Sequence, residues 1–118
     1  MTIRALQKFI QAEAIRLKKR FGEIQNQEKL VLSSTVKIME ELGELSELVL
    51  KKRQRQDKMN FSKRESDLGQ KNISHHNEAL EDEFADVIIS TAMLAHDMDI
   101  NIEKALKNKM KKIEERYK

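Results

Sequence analysis

Lys37-Ile38-Met39-Glu40-Glu41-Leu42-Gly43-Glu44-Leu45-Ser46-Glu47-Leu48 sets acidic residues inside an apolar helical pattern, and Glu83-Phe84-Ala85-Asp86-Val87 repeats the arrangement downstream. At about 100° per residue, Glu41 and Glu44 project from one side of a helix, and Ile38, Leu45 and Leu48 lie within about 100° of them. Glu83 and Asp86 have the same i, i+3 spacing on a second predicted helix, where Ala79, Val87, Ser90 and Leu94 share their side. If the two stripes pack, four carboxylates converge.

Several anions brought together away from water have no stable outcome without proton uptake or a bound cation. A hard divalent ion suits an all-carboxylate shell, so Mg²⁺ or Mn²⁺ fits Glu41, Glu44, Glu83 and Asp86 better than Zn²⁺, which favours nitrogen and sulfur ligands. The chain has no Cys, which excludes a disulfide framework and a thiolate metal site.

Absence of Pro, three Gly and 36% charged residues in 118 positions favour long helices over strands and turns. The length suits a single domain spanning 1–118, with aliphatic residues filling the core because aromatics make up 4%. No hydrophobic run reaches bilayer-spanning length and the N-terminus lacks a signal-peptide core, so the expectation is a cytoplasmic protein that does not engage membrane. A net charge of +3 is a weak pointer to polyanions, since acidic residues are almost as numerous as basic ones.

Ile3, Leu6, Phe9, Ile10, Ala14 and Leu17 predict a first helix over about 2–21, with Gly22 as its stop. A second helix starts between Asn26 and Ser34 and runs to about Arg55. It carries Leu32, Val36, Met39 and Leu50 opposite the acidic stripe, as a centrally buried or interface helix does. Over about 56–77 the periodicity fails, which predicts a flexible connector. Within it, His75 and His76 read as a solvated pair rather than ligands, because adjacent side chains diverge. A third helix is expected over about 78–98 with Asn77 as cap, and a fourth over about 102–117 with Asn101 as cap and Leu106, Met110 and Ile113 packing inward. His96 falls opposite Glu83 and Asp86, which suits packing or a surface position. Met39, Met93, Met98 and Met110 read as core filler.

The paired acidic motifs resemble the Glu-Glu-x-x-Glu and Glu-x-x-Asp motifs of the MazG-type all-α nucleoside triphosphate pyrophosphohydrolases, down to Gly43 and Leu45 in Glu-Leu-Gly-Glu-Leu and Asp86-Val87 after Phe84-Ala85. The resemblance covers roughly 24–50 and 78–117. It implies metal-dependent hydrolysis of a nucleoside triphosphate to the monophosphate and pyrophosphate, as in nucleotide-pool housecleaning, with Glu40, Glu41 and Glu44 in the catalytic motif. Glu40 points about 60–100° away from the Glu41/Glu44 pair, as a water-orienting residue or a surface carboxylate would. Lys37 is read equally as a phosphate contact or as an i, i+4 partner of Glu41. The closing run Lys109-Met110-Lys111-Lys112-Ile113-Glu114-Glu115-Arg116 is similar to the family's basic C-terminal helix, which implies substrate contacts from Lys109, Lys112 and Arg116. Ile113 departs from the Asn often found there.

A phosphoribosyl-ATP pyrophosphatase is the runner-up, and a dimeric dUTPase relationship is disfavoured by length. A basic helical nucleic-acid-binding module leaves the apolar-face carboxylates unexplained, and a di-iron bundle lacks its Glu-x-x-His pairs. The expected architecture is therefore all-α, with about four helices and an antiparallel pair completed into a four-helix-bundle-like core by a homodimer or homotetramer.

Overall fold

The computed structural model describes residues 1–22, 26–61 and 67–118, and of 55–61 and 67–75 the backbone alone. Among the described residues there are four helices and no strand: α1 (Ile3–Phe21), α2 (Gln27–Phe61), α3 (Asp67–Asp97) and α4 (Ile102–Glu115). The chain is all-α. It divides into two units, Met1–Val36 with Ile89–Lys118, and Lys37–Ile88, the division falling inside α2 and α3.

The first unit is held by local capping and a small apolar cluster. Thr2 starts α1 by accepting from the Ala5 amide at 3.1 Å, and Gly22 ends it at φ +82°, donating to the Lys18 carbonyl at 2.9 Å. Leu6 and Ile10 of α1 are buried with Ala92 of α3, and Ile89 and Met93 pack against them. The Asn26 side chain accepts from the Lys29 amide at 3.2 Å and fixes the start of α2. At the end of α3, Asp97 accepts from the Ser34 hydroxyl at 2.5 Å through its carboxylate and from the Gln27 side-chain amide through its carbonyl. Asn101 caps α4 by accepting from the Lys104 amide at 3.1 Å, and it also accepts from Gln7 at 3.2 Å.

In the second unit, the least exposed positions of α2 are Ile38, Glu41, Leu45, Leu48 and Lys52, and those of α3 include His76, Leu80, Glu83 and Val87. Both rows alternate steps of three and four, the spacing of a coiled-coil seam. Sequence periodicity therefore sets which side turns inward, and it puts Glu41 and Glu83 on that side.

Several expectations need correction. The second helix runs to Phe61 rather than about Arg55, and the third begins at Asp67 rather than Glu78. Most of the stretch expected to be a loop over 56–77 is helical, and 62–66 lie outside the described residues. Its polar side chains are acceptable helix formers and no Pro interrupts them, so loss of apolar periodicity in the sequence did not mark loss of helix. Asn77 is consequently interior to α3 and not its cap. Leu106, Met110 and Ile113 are exposed, as are Met39 and Met98, and no residue of α4 is buried within the chain.

Candidate metal centre

The acidic site belongs wholly to the Lys37–Ile88 unit. Glu41, Glu83 and Asp86 each offer a carboxylate oxygen, and these atoms lie within 4.8 Å of one another. The arrangement follows from the seam. Glu41 and Glu83 sit on the inward rows of α2 and α3, while Asp86 lies one position short of Val87 and so at the rim.

Glu41 is 5% exposed, yet its Oε2 has no hydrogen-bond partner, and neither does the buried Oε2 of Glu83. A buried carboxylate oxygen left without a donor is costly and rare in a folded chain. Burial, then the neighbouring Glu44 and Glu41 carboxylates, push the Glu83 carboxyl up to about 7. Glu41 is held below its ordinary range, chiefly by its hydrogen bond from Lys37, whose ammonium lies 2.8 Å from Oε1. A hard divalent cation fits this donor set, since it could meet orphaned carboxylate oxygens and would offset the burial and neighbouring charge that raise Glu83. No other described cluster of His, Asp and Glu brings three such atoms together.

The remaining predicted site residues are placed as follows. Glu44 stands outside the close trio and is exposed, but its charge helps to raise the Glu83 carboxyl. Glu40 is exposed on the flank, 3.6 Å from the Lys37 ammonium. Lys37 forms the i, i+4 pair with Glu41. Lys109, Lys112 and Arg116 are exposed along and just beyond α4 in the other unit, and the acidic trio is built without them.

Two histidines differ from each other in what the structure says of them. His76 is buried, with Nε2 3.0 Å from the Leu48 carbonyl, so it is not a solvated residue. The signal was present in the sequence, because His76, Leu80, Glu83 and Val87 continue one seam. The His75 side chain lies outside the description. His96 is exposed, its Nδ1 3.6 Å from the Asp97 carboxylate.

With the fold all-α and three carboxylates from two helices brought together, the class is that of a helical protein with an acidic group that could hold a metal ion. The family model of the MazG-like family matches residues 58–118, just over half of the chain. The chain belongs to the MazG-like family. The matched part contains Glu83, Asp86 and the basic α4, while the Glu40-Glu41-x-x-Glu44 motif precedes it. No curated protein and no solved structure matches the chain. None of the described helices is long and apolar enough to cross a membrane.

Proposed function

We propose that this chain is a metal-dependent nucleoside triphosphate pyrophosphohydrolase, cleaving between the α- and β-phosphates to give a nucleoside monophosphate and pyrophosphate. The observation that carries the reading is the pair of buried, partnerless Oε2 atoms of Glu41 and Glu83, in a trio with Asp86. Glu41, Glu83 and Asp86 would hold Mg²⁺ or Mn²⁺, with Glu44 at the rim as a fourth ligand. When bound, the cation supplies charge neutralisation for the phosphates and acidifies the attacking water.

The rest falls to side chains. Glu41 and Glu83, fixed on packed helices, set where the triphosphate docks and keep the site dry on its inner side. Glu40, exposed and one position from Glu41, orients the water that attacks the α-phosphorus as the bond to the bridging oxygen breaks and pyrophosphate departs. Lys109, Lys112 and Arg116 offer donors to phosphate oxygens.

Homo-oligomerisation belongs to the same proposal. In the Lys37–Ile88 unit, Met39, Leu42, Leu50, Phe84 and Ile88 are all more than half exposed, a larger apolar display than one chain leaves to water. A second copy would cover them, completing a four-helix-bundle-like core in a dimer or tetramer. Sedimentation at micromolar concentration should show an oligomer, and a monodisperse monomer would refute this part.

Activity is tested by a pyrophosphate-release screen over nucleoside triphosphates and phosphoribosyl-ATP, with and without Mg²⁺. Turnover that needs the metal and drops about 100-fold in Glu44→Gln and Asp86→Asn supports the reading. Turnover indifferent to both changes would remove these residues from the mechanism. Turnover of phosphoribosyl-ATP alone would select the other pyrophosphatase.

A further inference from the structure

Lys37 is a feature of the acidic unit that the metal reading leaves without a task. Its ammonium lies 2.8 Å from Glu41 Oε1 and 3.6 Å from Glu40 Oε2, and its hydrogen bond with Glu41 pulls its pKa up. The pair is lopsided. The Glu41 side chain is 7% exposed whereas that of Lys37 is 54% exposed, so the carboxylate is fixed and the ammonium reaches in from solvent on a flexible stem.

We propose that Lys37 is a tethered counter-ion: it competes with the divalent cation for Glu41, is released when the cation binds, and then serves as a contact for the triphosphate. This rests on the metal reading above and concerns how the same site is loaded. One monovalent ammonium cannot answer a trio of carboxylates, and it leaves Glu41 Oε2 and Glu83 Oε2 without partners. A divalent cation held at those atoms repels an ammonium on the other oxygen of the same carboxylate, because two like charges a few ångströms apart interact strongly even at a protein surface. Lys37 can leave without opening a cavity, since more than half of its side chain already faces solvent. A freed ammonium beside a loaded cation is suited to a polyanion, which brings the charge that Glu41 no longer offers. Lys37 thus masks the site before loading and recognises phosphate after it.

The test measures Mn²⁺ affinity of the nucleotide-free protein at fixed pH, following free Mn²⁺ by electron paramagnetic resonance, in the wild type, Lys37→Met and Glu41→Gln. Affinity for inorganic tripolyphosphate at fixed free Mg²⁺ is measured beside it. Lys37→Met should bind Mn²⁺ about three- to tenfold more tightly, the scale of a half-exposed ion pair, and bind tripolyphosphate more weakly by a similar factor. A purely structural lysine gives no gain in metal affinity. Unchanged or weaker Mn²⁺ binding in Lys37→Met, with Glu41→Gln losing it, overturns the counter-ion and leaves the metal centre standing. Tighter Mn²⁺ binding with unaltered tripolyphosphate affinity overturns the hand-over to phosphate. Wild-type protein that binds no Mn²⁺, or Glu41→Gln that binds it equally well, defeats the metal reading and this proposal together.

Discussion

Asp97 and Glu41 are both carboxylates with side chains 7% exposed, one in each unit, and the chain treats them differently. Asp97 receives the Ser34 hydroxyl at 2.5 Å while its own carbonyl receives the Gln27 amide, so the end of α3 is tied to the start of α2 within the first unit. Glu41 receives one ammonium and keeps its other oxygen buried and unpartnered, beside Glu83 in the same condition. A carboxylate that meets a donor of its own chain and leaves no buried oxygen orphaned is a structural fastener. One left half met points to a ligand that arrives later.

Four experiments press on that contrast. The largest effect is expected at Glu41→Gln, which keeps the shape but removes the charge: pyrophosphate release should fall roughly 1,000-fold with the fold intact by circular dichroism. If activity survives, the two carboxylates are alike after all. Ile10→Ala, at a residue 2% exposed in the cluster with Leu6 and Ala92, should cost about 2–5 kcal/mol in urea unfolding. Metal affinity per folded molecule should not change. Asp97→Ala should cost about 1–3 kcal/mol, because the Ser34 hydroxyl loses its acceptor, again with no loss of metal binding. Metal binding that fell with Asp97→Ala would make it more than a fastener.

The smallest effect is in pH. With its carboxyl raised to about 7 from an ordinary value of 4.5, Glu83 binds its proton more tightly in the folded than in the unfolded chain. Its contribution to stability is therefore full below about 4.5 and is lost as pH rises through about 7. Metal-free protein should melt lower at pH 8 than at pH 6 for this reason, and Glu83→Gln should flatten that slope while abolishing metal binding. Metal affinity should run the opposite way, rising with pH and levelling off above about 7, since the cation needs the ionised carboxylate. A titration calorimeter run in two buffers of different ionisation heat would also detect the proton released.

Much of this was legible in the sequence because its signals were local. Gly22 ends α1 and Asn101 caps α4 through hydrogen bonds reaching at most four residues, and the acidic motifs gave Glu41, Glu83 and Asp86 from helical phase. Phase was too coarse for Glu44. The inward row steps from Glu41 to Leu45, so a residue at i+3 falls short of it and stands exposed, as Asp86 does relative to Val87. The upstream extent of α3 was hidden because residues 67–75 carry no apolar period in the sequence. Leu106, Met110 and Ile113 on α4 had an apolar period, yet each is exposed. Sequence pattern reports that a face wants cover, without saying what supplies it.

Crystals soaked in Mn²⁺ and measured at an anomalous wavelength test the central claim most directly. One strong peak within about 2.5 Å of Glu41 Oε2, Glu83 Oε2 and an Asp86 carboxylate oxygen is the expected result. Manganese elsewhere, or these three carboxylates bound to donors of the protein alone, would contradict it.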